Sequence, residues 1–159
     1  MQTTPCAPTI EEELFVNDGS VPNNPWLPLI VYRGALQIGA EAAEACMALF
    51  ERNGWGGAWR KGIYAHHHYH STAHEVLGVT CGSVRVRLGG ERGKTVVLRA
   101  GDVVVVPAGV AHKSEGASPD LVVVGAYPQG QRPDTRTPGA SDHESAVARV
   151  AAVPLPQCS

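Results

Sequence analysis

The sequence predicts an all-β domain, a sandwich or a closed barrel, with one amphipathic helix ahead of it. Three observations lead there. From Trp59 onward the apolar residues recur with period two, in short runs that turn residues interrupt about every ten positions. Before that point a single stretch, Ala40–Asn53, changes to the helical period. Glycine (18) and proline (12) together are 30 of 159 residues, above the usual share of roughly 12%. That excess suits short elements joined by tight turns, and neither long helices nor disorder.

The first 26 residues, rich in proline and asparagine with an acidic run at Glu11–Glu13, read as an arm that Leu14, Phe15 and Trp26 could anchor. Leu27–Leu36 has the β-branched and aromatic content of a strand. In the helix, Ala42, Ala45, Cys46, Leu49 and Phe50 form the apolar stripe, and Gly54 is the stop signal. Candidate strands follow at Ile63–His70, Glu75–Thr80, Val84–Leu88, Thr95–Leu98, Val103–Val106 and Leu121–Tyr127. In Val84–Leu88 the valines and leucine face in while Arg85 and Arg87 face out. Val103–Val106 and Leu121–Val124 are apolar on both faces, so something must cover them: the helix, the arm or a second subunit. Together with Arg85 they imply a homodimer or larger assembly. In the polar tail, Ser141 and Glu144 have the spacing of a capping box that opens a short helix, Asp142–Ala151. The organisation expected is an arm over 1–26, one domain over 27–130 and a tail over 131–159.

With 13 Lys plus Arg against 15 Asp plus Glu, the net charge of −2 gives no electrostatic footprint for nucleic acid. No apolar run approaches the ~18 residues of a membrane span. The start, MQTTPCAPTIEEE, lacks the basic and apolar regions of a signal peptide, which points to the cytoplasm. Cys6, Cys46, Cys81 and Cys158 show no metal-site or redox spacing and are expected as reduced thiols. Cys81 has the strand parity of Glu75, so the expectation is a small buried thiol.

The unusual residue is histidine: five of the seven (His66, His67, His68, His70, His74) fall within nine positions. On a strand His68 and His70 project from one face, about 7 Å apart at roughly 3.3 Å per residue. That separation lets both imidazoles bind one ion. After the turn, Glu75 opens the next strand with a carboxylate that can swing back to the same centre. His112, behind the turn Pro107-Ala108-Gly109, can deliver a fourth ligand from a remote strand end. A purification tag is excluded, because the run is internal and interleaved with tyrosine.

These residues carry a family resemblance. Gly62-x5-His68-x-His70-x4-Glu75-x6-Gly82 resembles the first motif of the cupin superfamily, and Gly101-x5-Pro107-x-Gly109-x2-His112 resembles the second. The eighteen residues between them suit the variable inter-motif segment. One departure is Gly116, where the second motif usually closes with asparagine. The runs GWGGAWRKGIYAHHHYHSTAHEVLGV and AGDVVVVPAGVAHK look like small single-domain bacterial cupins of the YjlB-like type. The resemblance implies a double-stranded β-helix (jelly-roll) barrel and a divalent metal held by His68, His70, Glu75 and His112.

Other groups are open at this point. His74 is the rival for the acidic ligand position. His66 shares parity with His68 and His70, and either contacts substrate or stacks in the barrel wall. His67 and Tyr69 face out or into a subunit contact. Tyr127 either donates a hydrogen bond near the barrel mouth or packs in the core. His66, His74 and Tyr127 are thus the catalytic candidates. Trp55 and Trp59 read as packing residues, and Arg60 and Lys61 either draw an anion or form a solvated edge. Leu77, Val79, Val84, Val86, Leu88 and Val104 or Val106 are the expected cavity wall.

Three imidazoles and a carboxylate without thiolate suit one divalent Fe, Mn, Ni, Co or Zn per chain. Octahedral preference leaves positions open for water or substrate. The functional expectation is a metal-dependent oxygenase, isomerase or decarboxylase acting on a small molecule. The other classes are a non-catalytic sensor or storage module and a structural protein; the intact ligands argue against the last, and the single early helix makes no helix-turn-helix for a regulator.

Overall fold

Period-two burial sets the architecture of the protein, whose computed structural model describes residues 9–139 and 141–156. Cys6 and Cys158 lie outside the described residues. In chain order the elements are β1 (Thr9–Phe15), β2 (Asn24–Arg33), α1 (Ala42–Arg52), β3 (Trp55–Lys61), β4 (Glu75–Cys81), β5 (Ser83–Leu88), β6 (Lys94–Arg99), β7 (Val103–Val106), β8 (His112–Ala117), β9 (Val122–Pro128) and α2 (His143–Ala152). All strand pairs are antiparallel. They form one sheet in the order β1-β2-β7-β4-β9-β3 and a second in the order β6-β5-β8.

The two sheets face each other as a jelly roll, with alternate residues of each meeting in the core. Leu29, Val31, Leu77, Val79, Val104, Val106 and Val123 come from the large sheet; Val84, Val86, Leu88 and Leu98 come from the small one. Each is at most 2% exposed, and full burial of such a side chain stabilises by about 1.5–3 kcal/mol. The registers explain the alternation. Leu77 lies between Val104 and Gly125 on the inner face, while its neighbour Val76 lies between Val105 and Ala126 on the outer one.

Helix α1 supplies the cover that the doubly apolar strands require. Its buried face is Ala43, Cys46 and Phe50, with Met47 half-buried beside them; together they pack on Val76, Val103, Val124 and Ala126. Ala45, expected in the stripe, is exposed. Close approach depends on Gly78, where a Cβ would stand 2.7 Å from Cys46 Sγ and 3.0 Å from Phe50. The helix stops short of β2. Between them an apolar groove of about 610 Å³ runs over Ile30, Tyr32, Val105 and Trp55, with Leu155 at one side.

Several elements differ from expectation, each for a physical reason. Part of the N-terminal arm is β1, the edge strand paired with β2. Phe15 and Val21 anchor it (8% and 1% exposed), whereas Leu14 and Trp26 stand in solvent. Ile63–His70 is not a strand. After Lys61 the chain leaves the sheet, and two isolated bridges, His68 with His112 and Tyr69 with Arg136, hold it extended, helped by single backbone bonds at Tyr64 and His70. The strand before it, β3, carries Gly56 and Gly57 and shifts register between Gly56 and Trp59, a bulge that its sequence disguises as a break. Strand β8, HKSEGA, has no apolar alternation and is a strand because β5 pairs with it.

Cys81 is exposed, not interior: the register slips between Val79 and Cys81, turning its thiol to within 3.6 Å of Asp120. No side-chain capping bond forms at the start of α2. Asp142, its N-cap, is drawn instead to Arg136 and Arg149.

Two outcomes follow from this packing. Gly78→Ala should lower stability by about 1–3 kcal/mol in urea unfolding, because the added methyl overpacks the helix contact. A variant as stable as the parent would show that α1 is free to retreat. Burial pushes the Cys46 thiol up to about 11, so it stays protonated, hence unreactive, at every pH well below that value. Pulse alkylation of the native protein between about pH 7 and 9 should label Cys81 and spare Cys46, read by peptide mass spectrometry.

Candidate metal centre

Strand β4 begins at the mouth of the barrel, and its first residue, Glu75, points inward because Leu77 and Val79 do. Its carboxylate is 2% exposed. Across the sandwich, β8 begins with His112, which is 1% exposed and presents Nε2 to Glu75 Oε1 at 3.1 Å. The turn before β8 needs Gly109: φ is +89° and a Cβ would meet the Asn23 carbonyl at 2.4 Å. Gly109 also donates its N–H to the His70 carbonyl at 2.7 Å, joining the turn to the histidine-rich segment.

That segment is gripped on both edges. His68 and His112 exchange backbone hydrogen bonds at 3.3 and 2.9 Å, and Tyr69 and Arg136 do so at 3.0 and 2.9 Å. Extended backbone at these residues keeps the alternation. His68 and His70 turn inward, 5% and 6% exposed, with His70 Nε2 3.4 Å from Glu75 Oε1. Tyr69, expected to face out, is instead fully buried against Val21, Ala111 and Ala146 of α2. The ring centroids of His68 and His112 are 4.1 Å apart, and one ring nitrogen from each of His68, His70 and His112 lies within 4.8 Å of the others.

The three imidazoles share one orientation device. Each Nδ1 lies against a backbone carbonyl: His66 for His68 (3.4 Å), Asp134 for His70 (2.5 Å), Val110 for His112 (3.2 Å). A carbonyl accepts, so Nδ1 carries the proton and Nε2 is left as the lone-pair nitrogen. The facing nitrogens of His70 and His112 thus meet the Glu75 carboxylate at 3.4 and 3.1 Å, with a His68 ring nitrogen within 4.8 Å of theirs. A proton or a cation between them relieves the repulsion, and the donor set fits a divalent transition metal. Burial, reinforced by His112 and His70, pushes His68 down to about 3, so its ring is neutral. Burial alone would raise Glu75, yet protons taken up at the facing nitrogens of His112 and His70, which then donate to the carboxylate, outweigh it and hold the carboxyl well below its usual range. Burial would lower His70, but Glu75 outweighs that and raises it.

Asp134 ties the tail to this centre. Its carboxylate accepts the Ser71 N–H at 2.6 Å, the Ser71 hydroxyl and the Thr72 hydroxyl, while its own carbonyl receives His70 Nδ1. Arg149 of α2 donates to Ser71 Oγ at 2.9 Å. Nothing in the apolar periodicity marks this residue.

A match to the cupin-domain family model (Cupin_2) covers residues 59–124. The chain is also 39% identical over 142 residues to an uncharacterized protein, YjlB of Bacillus subtilis (strain 168), an alignment spanning 89% of this chain and 84% of that one. The chain belongs to the cupin superfamily. Among solved structures it is similar to a dTDP-6-deoxy-D-glucose-3,5-epimerase, RmlC, of Legionella pneumophila Philadelphia 1, at TM-score 0.47 and 14% identity over 88% of this chain and 82% of that one. Another is an acireductone dioxygenase from Bacillus anthracis with cadmium in its active centre, at TM-score 0.42 and 17% identity over 61% and 70%.

In this cupin the four motif side chains open onto a cavity of about 260 Å³. Of the expected wall only Leu77 lines it; Val79, Val84, Val86, Leu88, Val104 and Val106 fill the barrel interior solidly. The wall is instead Trp59, Ile63, Tyr64, Tyr127 and Thr135, with Lys61 at the mouth. Trp59 packs against the core as its sequence suggests and is also a wall residue that donates its indole N–H to the Tyr127 hydroxyl at 3.0 Å. Gly125 makes room for it: a Cβ there would stand 2.2 Å from the indole. Burial, then the charge of Glu75, raises the Tyr127 phenol well above its usual value, so it keeps its proton and can donate a hydrogen bond.

The remaining candidates sit elsewhere. His74 is buried on the other side of β4, where it borders the outer groove and its Nδ1 accepts the Ala108 N–H at 2.8 Å. His66 is exposed at the rim, stacked on Tyr64 with centroids 5.1 Å apart. His67 turns away to Glu91 at 2.7 Å. Gly116 occupies a bulge of β8 with φ +149°, opposite Arg85.

Asp134→Ala should destabilise the metal-free protein by about 1–3 kcal/mol, the cost of leaving the buried Ser71 N–H and hydroxyl without their acceptor. Urea unfolding in the presence of a chelator reads this without reference to metal. An unchanged midpoint would show that the tail contact does not hold the segment.

Proposed function

We propose that this cupin holds one divalent transition metal through His68, His70, Glu75 and His112 and uses it to transform a small molecule, by an oxygenase, isomerase or decarboxylase reaction. The observation that carries the reading is the gathering of three imidazoles within 4.8 Å of one another, two of them against the buried Glu75 carboxylate, in the lining of a narrow cavity. A metal there would act as a Lewis acid, polarising a substrate oxygen or lowering the pKa of a bound water. The donors suit Fe, Mn, Ni, Co or Zn.

The rest of the site does what the chain's own residues allow. Trp59, Ile63 and Leu77 exclude bulk water from the floor. Tyr127 has its oxygen lone pair engaged by the Trp59 N–H, which leaves its proton for Glu75 or for a ligand oxygen. A space of 260 Å³ falls below the roughly 300–1,000 Å³ of drug-sized sites and admits only a small ligand. The reading extends to a cytoplasmic protein, with Cys46 and Cys81 as free thiols, and to a homodimer whose contact would be the outer apolar groove.

Protein expressed in minimal medium should carry about one divalent ion per chain, and His68→Ala or His112→Ala should abolish it, read by elemental analysis. Stoichiometric metal surviving in the double variant would sink the assignment. Dioxygen uptake with small organic acids separates an oxygenase from the non-oxidative classes. Light scattering at micromolar concentration should report a dimer, and a monomer removes that part of the reading.

A further inference from the structure

We propose that the cavity takes a small organic carboxylate, with Lys61 as the residue that receives its charge. This rests on the metal reading above, since the opposite end of such a ligand would lie toward the four motif residues.

Strand parity separates two adjacent cations. In β3, Trp59 pairs with Gly125, Arg60 with Val124 and Lys61 with Val123. Val123 belongs to the inner core and Val124 to the cluster under α1, so Trp59 and Lys61 share the cavity side and Arg60 points to the helix side. Arg60 is accordingly spent on Glu44 at 3.1 Å, whereas Lys61 lines the cavity mouth and has no ion pair among the described residues. Glu75, the other formally charged lining residue apart from the histidines, is engaged by His70 and His112.

The charge balance points the same way. Three neutral imidazoles and one carboxylate leave a divalent ion with a single excess positive charge, and Lys61 adds another. A cavity of this sign, with low-dielectric aromatic walls, favours an anion. Trp59, Ile63 and Leu77 offer apolar surface for a hydrocarbon body, and Tyr64 and Thr135 add neutral hydroxyls to the same lining. A phosphate ester is recognised by guanidinium forks or several N–H donors. Among the described residues no guanidinium lines the cavity, and Arg60 is turned to Glu44, so a carboxylate meets what the site provides.

The test compares acids with their uncharged amides: lactate against lactamide and benzoate against benzamide, by calorimetry on zinc-loaded protein, with zinc content measured in every sample. The expected result is that at least one acid binds about tenfold or more tighter than its amide, the effect of one charged hydrogen bond. Lys61→Met should remove the preference and Arg60→Met should keep it, with zinc content equal in all three proteins. A preference absent from the parent, retained in Lys61→Met, or no acid binding at millimolar concentration overturns the proposal. If the parent takes up no zinc, the metal reading has failed separately. The same comparison on that protein still decides whether Lys61 selects the acid.

Discussion

The structure depends on the two-sided grip on the segment from Tyr64 to Ser71. This stretch belongs to neither sheet, yet it carries two of the four groups that converge in the cavity. One edge is fastened to the first residue of β8 and the turn before it, the other to residues 134–136 of the tail. Release of either edge would leave His68 and His70 on a loop, where imidazole direction is not fixed. The fold therefore reaches its site through a few single bridges and not through a ladder. The Asp134 carboxylate and Arg149 reinforce those bridges from outside the barrel.

Within the site, rigidity comes from the repeated use of backbone carbonyls. Each imidazole is held at its far nitrogen, so the chain itself aims the near nitrogens. Glu75 needs no such device because strand β4 already directs it inward beside Val106. The cost of burying the carboxylate is offset by the imidazoles facing it. Above this floor the wall is aromatic, and the Trp59–Tyr127 hydrogen bond sets the direction of the phenol.

Much of this was legible in the sequence, unevenly and for definite reasons. Strands with clean alternation, such as Val84–Leu88, declared themselves because one face is apolar and the other charged. The doubly apolar strands announced a cover, and α1 is that cover over β9. The motif histidines and Glu75 were readable from parity and spacing, although the supposed strand carrying two of them is a bridged loop. Illegible were features that depend on partners distant along the chain. Strand β8 exists only because β5 pairs with it, and Trp59 is a cavity wall only because Gly125 lies opposite. Cys81 turned outward through a one-residue slip of register, which period-two counting cannot foresee. The parity that turns Glu75 toward the inner cavity turns His74 toward the outer groove.

The edge strand β1 has one further meaning. It ends the large sheet with a row of unpaired backbone groups and with Ile10 and Leu14 in solvent. Between them stand Glu11, Glu12 and Glu13, two of which are tethered to Arg33 and Lys94 of the same chain. Three acidic side chains in succession would oppose their own images if two such borders lined up, so the sequence blocks the simplest route to sheet extension and fibril growth.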